Sequence, residues 1–139
     1  LGDHTTGSMV VNLAEDFPTV WITGCSTPCL SLFKPTYLGA LTGPLFEDEQ
    51  KSLEYWLKRE YLLRGIYGGH INETAYRIKL LALQSQWIDE EKALRKAKAT
   101  KEDFIRFAKS AAKQEEEFID SYADVIRFVK HMEVPLPKL

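Results

Sequence analysis

Six chain breakers, Gly24, Pro28, Pro35, Gly39, Gly43 and Pro44, crowd between positions 24 and 46, and no regular helix tolerates that density. They divide the chain into two parts with different periodicities. Before them, Ser8-Met9-Val10-Val11-Asn12-Leu13 and Thr19-Val20-Trp21-Ile22-Thr23 are rich in β-branched and apolar residues, the composition of strands. Ala14-Glu15-Asp16-Phe17-Pro18 between them supplies turn chemistry, so a β-hairpin is expected. Such a hairpin is marginal by itself in water and needs more strands or a helical layer over its apolar face.

After the breakers the apolar residues recur at helical spacing. Leu53, Trp56, Leu57, Tyr61 and Leu63 stand three and four apart in a charged background, which predicts a helix from Glu47 toward Gly65 or the Gly68-Gly69 pair. A second helix is expected from the N-cap residue Asn72, with Glu73 in its first turn and a stripe of Tyr76, Leu80, Leu83, Trp87 and Leu94. The third starts at Thr100, where Thr-Lys-Glu-Asp resembles a capping box with Asp103 as its acidic member. Phe104, Ala108, Ala111, Phe118, Tyr122, Ile126 and Val129 then mark one face until Pro135, a helix roughly 45 Å long. The run Gln114-Glu115-Glu116-Glu117 reads as its solvated side. The expected fold is therefore α+β: a β-hairpin and a Pro/Gly-rich connector over 1–46, then three long amphipathic helices over 47–139.

Charge narrows the function. The 18 basic and 20 acidic residues of this 139-residue chain mostly alternate and leave no basic stripe for a phosphate backbone, so nucleic acid is not an expected partner. No window approaches the roughly eighteen consecutive apolar residues that span a bilayer, and no secretory signal opens the chain, so no membrane partner is expected either. Two cysteines without an export signal favour reduced thiols and a cytoplasmic location.

Those cysteines are the first place to look for chemistry. Cys25 and Cys29 lie in a Ser/Thr/Pro-rich turn with three residues between them, a spacing that suits neither a zinc knuckle nor a Cys-x-x-Cys redox pair. His4, His70 and His131 are scattered, so no metal and no cofactor is expected. A nucleophilic Cys29 needs a lowered pKa and a base, and Lys34 is the one local positive charge. The hydroxyls of His4-Thr5-Thr6-Gly7-Ser8 precede a strand, where they read as turn residues that bond the backbone. Asn72-Glu73-Thr74 matches a glycosylation acceptor but reads as a helix cap.

Taken together, His4-Thr5-Thr6-Gly7-Ser8-Met9, Trp21-Ile22-Thr23-Gly24 and Cys25-Ser26-Thr27-Pro28-Cys29-Leu30-Ser31-Leu32-Phe33-Lys34-Pro35 resemble the C-terminal part of the secernin and dipeptidase family of cysteine peptidases. The resemblance is specific over positions 4–35; the helices match in character. It implies the C-terminal segment of an N-terminal-nucleophile (Ntn) hydrolase-like αββα sandwich, in a family that hydrolyses amide bonds of small peptides. The family's nucleophile is an N-terminal cysteine whose own α-amino group serves as base, whereas position 1 here is Leu1. The resemblance thus implies no catalytic residue in this chain, and Thr6, Ser26 and Cys29 as candidates for a substrate-pocket wall. The implied partners are a missing N-terminal part of the enzyme or a second copy, with a small peptide as substrate of the complete protein. The alternative is a non-catalytic helical interaction or oligomerisation module.

Overall fold

The computed structural model describes residues 7–13, 17–38 and 48–132. Three antiparallel strands, β1 (Ser8–Asn12), β2 (Thr19–Thr23) and β3 (Lys34–Tyr37), form a sheet in the order β1-β2-β3. Four helices follow: α1 (Glu49–Tyr67), α2 (Glu73–Lys96), α3 (Lys101–Asp120) and α4 (Ala123–Met132). The chain is α+β, as its periodicities predict, and the hairpin strands lie where they were expected.

The sheet has a strand more than expected. Pro35 rules out a helix, but it is compatible with an edge strand, where its missing N–H leaves no gap in the ladder, and it biases Lys34 toward extended backbone. Trp21 of β2 faces Pro35 in the register, with Thr19 opposite Tyr37 and Ile22 opposite Lys34. The rest of the connector, 39–46, lies outside the described residues.

The long third helix is in fact two. Ser121 Oγ donates to the Phe118 carbonyl at 2.6 Å, a local bond that competes with the helical ladder, and the chain turns before α4 restarts. Phe118, Tyr122, Ile126 and Val129 keep their apolar spacing across this break, so periodicity alone did not reveal it.

Local signals fix the other helix ends. The Asp48 side chain accepts from Gln50 N and the Asn72 side chain from Ala75 N, each at 2.8 Å, and Thr100 with Asp103 forms the full capping box. Gly69 closes α1 with φ +74°, a conformation that glycine takes without steric cost.

Sheet and helices share one core. Strand alternation sends Thr19, Trp21 and Thr23 of β2 to the helical side, where all three are buried with Pro35 and Tyr37 of β3. Phe104 of α3 meets Tyr37 edge-on at 5.2 Å between ring centroids, and Phe107 meets Trp21 at 6.4 Å. Trp87, the centre of the α2 stripe, is fully buried and donates its indole N–H to Gln114 Oε1 of α3 at 2.9 Å.

Candidate functional site

The turn after β2 carries the residues singled out for chemistry, and helices α1 and α2 fasten it from two sides. Ser26 Oγ donates to Glu60 Oε2 of α1 at 2.5 Å, and the hydroxyls of Thr27 and Tyr67 share a hydrogen bond of 2.8 Å. Pro28–Leu30 forms one 3-10 turn, and Tyr76 of α2 donates its hydroxyl to the Leu30 carbonyl at 2.8 Å. Gln84 then holds both backbone groups of Phe33, accepting from its N–H at 2.8 Å and donating to its carbonyl at 3.2 Å.

This arrangement separates the candidates. Cys25 is buried in the core and Cys29 is exposed, both as free thiols. The Cys29 carbonyl accepts from Arg77 of α2 at 3.4 Å, whereas Ser26 is turned toward α1. Thr6 lies outside the described residues. The described histidines sit elsewhere: His70 packs against Phe128 at 5.0 Å and His131 is in the last turn of α4. No group of three or more His, Cys, Asp or Glu side chains among the described residues is placed to hold a metal ion.

A second cluster lies just behind the turn. Glu115 of α3, read from sequence as part of a solvated run, is buried: its carboxylate accepts from Lys34 Nζ at 2.8 Å, the Tyr55 hydroxyl at 2.7 Å and Arg59 Nη2 at 2.7 Å. The guanidinium of Arg59 also pairs with Glu116 and lies 3.2 Å from the centroid of the Tyr55 ring. Lys58 extends the chain of charges outward to Glu116 at 3.0 Å and Asp120 at 2.6 Å. The correction has a simple cause. Glu115 falls seven residues after Ala108, four after Ala111, three before Phe118 and four before Ile119, so it occupies the buried stripe itself.

Arg59 stands the same way on α1, in line with Leu62, Leu63 and Ile66, while Leu53 and Trp56 of the expected stripe are exposed. A lone cation and a lone anion at stripe positions of two helices are the sequence signal that could have paired them.

Chemically the cluster is quiet. Burial pushes the Glu115 carboxyl up, but Lys34 and Arg59 outweigh it and hold it below the ordinary range. Burial first, and the Glu115 charge second, raise the Tyr55 hydroxyl. One group stays ionised and the other neutral around pH 7, so neither is poised to exchange a proton there. A pocket of about 190 Å³ opens beside them, lined by Gly24, Cys25, Lys34, Tyr55, Trp56 and Arg59.

The other notable surface is on the sheet. Alternation places Met9, Val11, Val20 and Ile22 on the face opposite the helices, and Met9, Val11 and Ile22 are 68, 42 and 42% exposed. On the helical side, Val10 and Trp21 border a groove of about 390 Å³ whose far wall is Gln84, Ile88 and Lys92 of α2. No helix among the described residues is long and apolar enough to cross a membrane. Comparisons with protein-family models, curated proteins and solved structures give no match to this chain.

Proposed function

We propose that this chain is a non-catalytic structural layer, a sheet with its helical cover, that docks through its outer sheet face onto a second antiparallel sheet bearing an amide-hydrolysing site. The observation that carries this reading is the asymmetry of the sheet. The inner faces of β2 and β3 are buried under α2 and α3, while the outer face presents Met9, Val11 and Ile22 to solvent. Contiguous apolar surface of this kind marks an interaction site, and two sheets stacked through such faces lie about 10 Å apart. A β-layer with helices on one side is half of an αββα sandwich, the architecture implied by the resemblance to secernin-like dipeptidases.

The turn supports the non-catalytic half of the reading. An attacking thiol needs a base at hydrogen-bond distance with a third group to orient it. Cys25 is buried in the core, Cys29 faces solvent, and Ser26 is engaged by the Glu60 carboxylate.

The test is a hydrolysis assay of the purified 139-residue chain against a panel of dipeptides, read as free amino acids released. No release above the uncatalysed background is expected. Turnover abolished by Cys25→Ser or Cys29→Ser would overturn the reading.

A further inference from the structure

We propose that the free edge of β1 pairs with β1 of a second copy of this chain, antiparallel and centred on Val10, joining two three-stranded sheets into one of six strands. This inference concerns the edge of the sheet and does not depend on the docking of its outer face.

The two edges of the sheet are treated differently. The β3 edge carries Lys34 and Pro35, and Phe104 of α3 packs on its Tyr37. A lysine, a proline and a covering element are the usual devices that stop an edge strand from recruiting another. Among the described residues β1 has none of these. Its sequence is Ser8-Met9-Val10-Val11-Asn12, it runs in unbroken register from Ser8 opposite Thr23 to Asn12 opposite Thr19, and no described strand lies on its other side. Met9, Val10 and Val11 are exposed, on both faces of the strand.

The sequence of β1 also selects its occupant. Its polarity is symmetric about Val10: polar, three apolar, polar. A two-fold axis at Val10 sets Val10 against Val10, Met9 against the second copy's Val11 and Ser8 against the second copy's Asn12, so like polarity meets like at every position. A two-fold brings identical groups together, and an uncharged strand incurs no like-charge repulsion when it does so. The groove on the helical side, lined by Val10, Trp21, Phe33 and Ile88 together with Asn12, Gln84, Glu91 and Lys92, gives the incoming Val10 apolar neighbours.

Cross-linking tests the register. Directly opposed residues of antiparallel strands have Cα atoms about 4.5–5.5 Å apart, inside the roughly 4.4–6.8 Å that a disulfide spans. In the Cys29→Ser background, which removes the exposed native thiol, Val10→Cys is expected to give a covalent dimer under mild oxidation. Asn12→Cys should not, because the two copies of position 12 are offset by four residues, about 14 Å. Light scattering of the unmodified chain should give a dimer, and Val10→Lys should weaken it at least tenfold with an unchanged circular dichroism spectrum.

A monomer at all concentrations overturns the proposal. So does a dimer in which Asn12→Cys cross-links as readily as Val10→Cys. Association that survives Val10→Lys but is lost in Ile22→Lys also overturns it, and points to stacking through the outer face. Dipeptide turnover, which decides the proposed function, has no bearing on any of these results.

Discussion

Arg59 of α1 and Glu115 of α3 meet with Nη2 2.7 Å from Oε2, at a place where the two side chains retain only 4 and 3% of their surface. Taking such a pair out of water is costly, and its attraction offsets the cost only while both partners and their other hydrogen bonds are in place. Here Tyr55 and Lys34 complete the carboxylate, and Glu116 with the Tyr55 carbonyl completes the guanidinium. Glu115→Ala leaves Arg59 buried beside a void and should cost about 3–5 kcal/mol in urea unfolding. Arg59→Met with Glu115→Leu should lie closer to wild type than Glu115→Ala does, since the buried guanidinium is removed with its carboxylate and only the less buried Lys34 loses a partner.

The same carboxylate sets an acid limit on stability. Lys34 and Arg59 overcome the effect of burial and hold Glu115 below its ordinary value of 4.5. The folded state thus binds the proton less readily than the unfolded one. Its contribution is complete above pH 4.5 and is lost as pH falls from there through the lower folded value. Unfolding followed between about pH 6 and 3 should show this loss, and a Glu115→Gln protein, already weaker at pH 6, should show a shallower slope.

Tyrosines set the alkaline limit with the opposite sign. Burial raises the hydroxyls of Tyr37, Tyr55 and Tyr76 above their ordinary value of 10.0, so the folded state holds these protons more tightly. That stability is complete below pH 10.0 and is lost as pH rises toward the folded values. Phenolate absorbance from these three should rise only as the chain unfolds, in step with the loss of helix signal.

Which of these features were legible beforehand follows from the range of each interaction. The caps at Asn72 and Thr100 involve residues three apart, so they stand in the sequence as they stand in the fold. β3 was hidden because Pro35 forbids a helix without forbidding an edge strand, and what decides the matter is Trp21, fourteen residues upstream. Ser121 ends α3 through a bond to Phe118, but serine within a helix is common enough that the unbroken apolar stripe outweighed it. The Lys34–Glu115–Arg59 cluster joins three elements far apart in the chain. Its only local trace was a charge at each of two stripe positions. The turn at Ser26 and Cys29 was located correctly as a turn, but which helix each residue faces depends on the docking of α1 and α2.

Lys98 supplies a test in which stability should increase. It follows the C-terminus of α2 with φ 51°, and Lys98 N and Ala99 N donate to the Arg95 and Leu94 carbonyls, each at 3.0 Å. This is the helix-ending motif that glycine adopts at the end of α1, where Gly69 fills the same place. A side chain in this conformation costs on the order of 1 kcal/mol. Lys98→Gly should therefore raise stability by about that amount, seen as a higher Tm at unchanged helix content.

Gly65 is a test of close packing. A Cβ built on it lies 2.9 Å from Val125 Cγ1, with Ile71 and Val129 next at 3.6 Å, so α1 and α4 approach more closely here than any side chain allows. Alanine is the better helix former by about 1 kcal/mol, and on propensity alone Gly65→Ala should stabilise α1. Overpacking of this kind costs about 1–3 kcal/mol, so the clash should prevail and Gly65→Ala should be net destabilising. Val125→Ala removes the offending methyl at the price of a small cavity. If the contact is the cause, the double variant Gly65→Ala/Val125→Ala should be more stable than the sum of the two single changes, with a coupling of about 1 kcal/mol in a double-mutant cycle. Strict additivity would place the effect of Gly65→Ala somewhere other than the contact between α1 and α4.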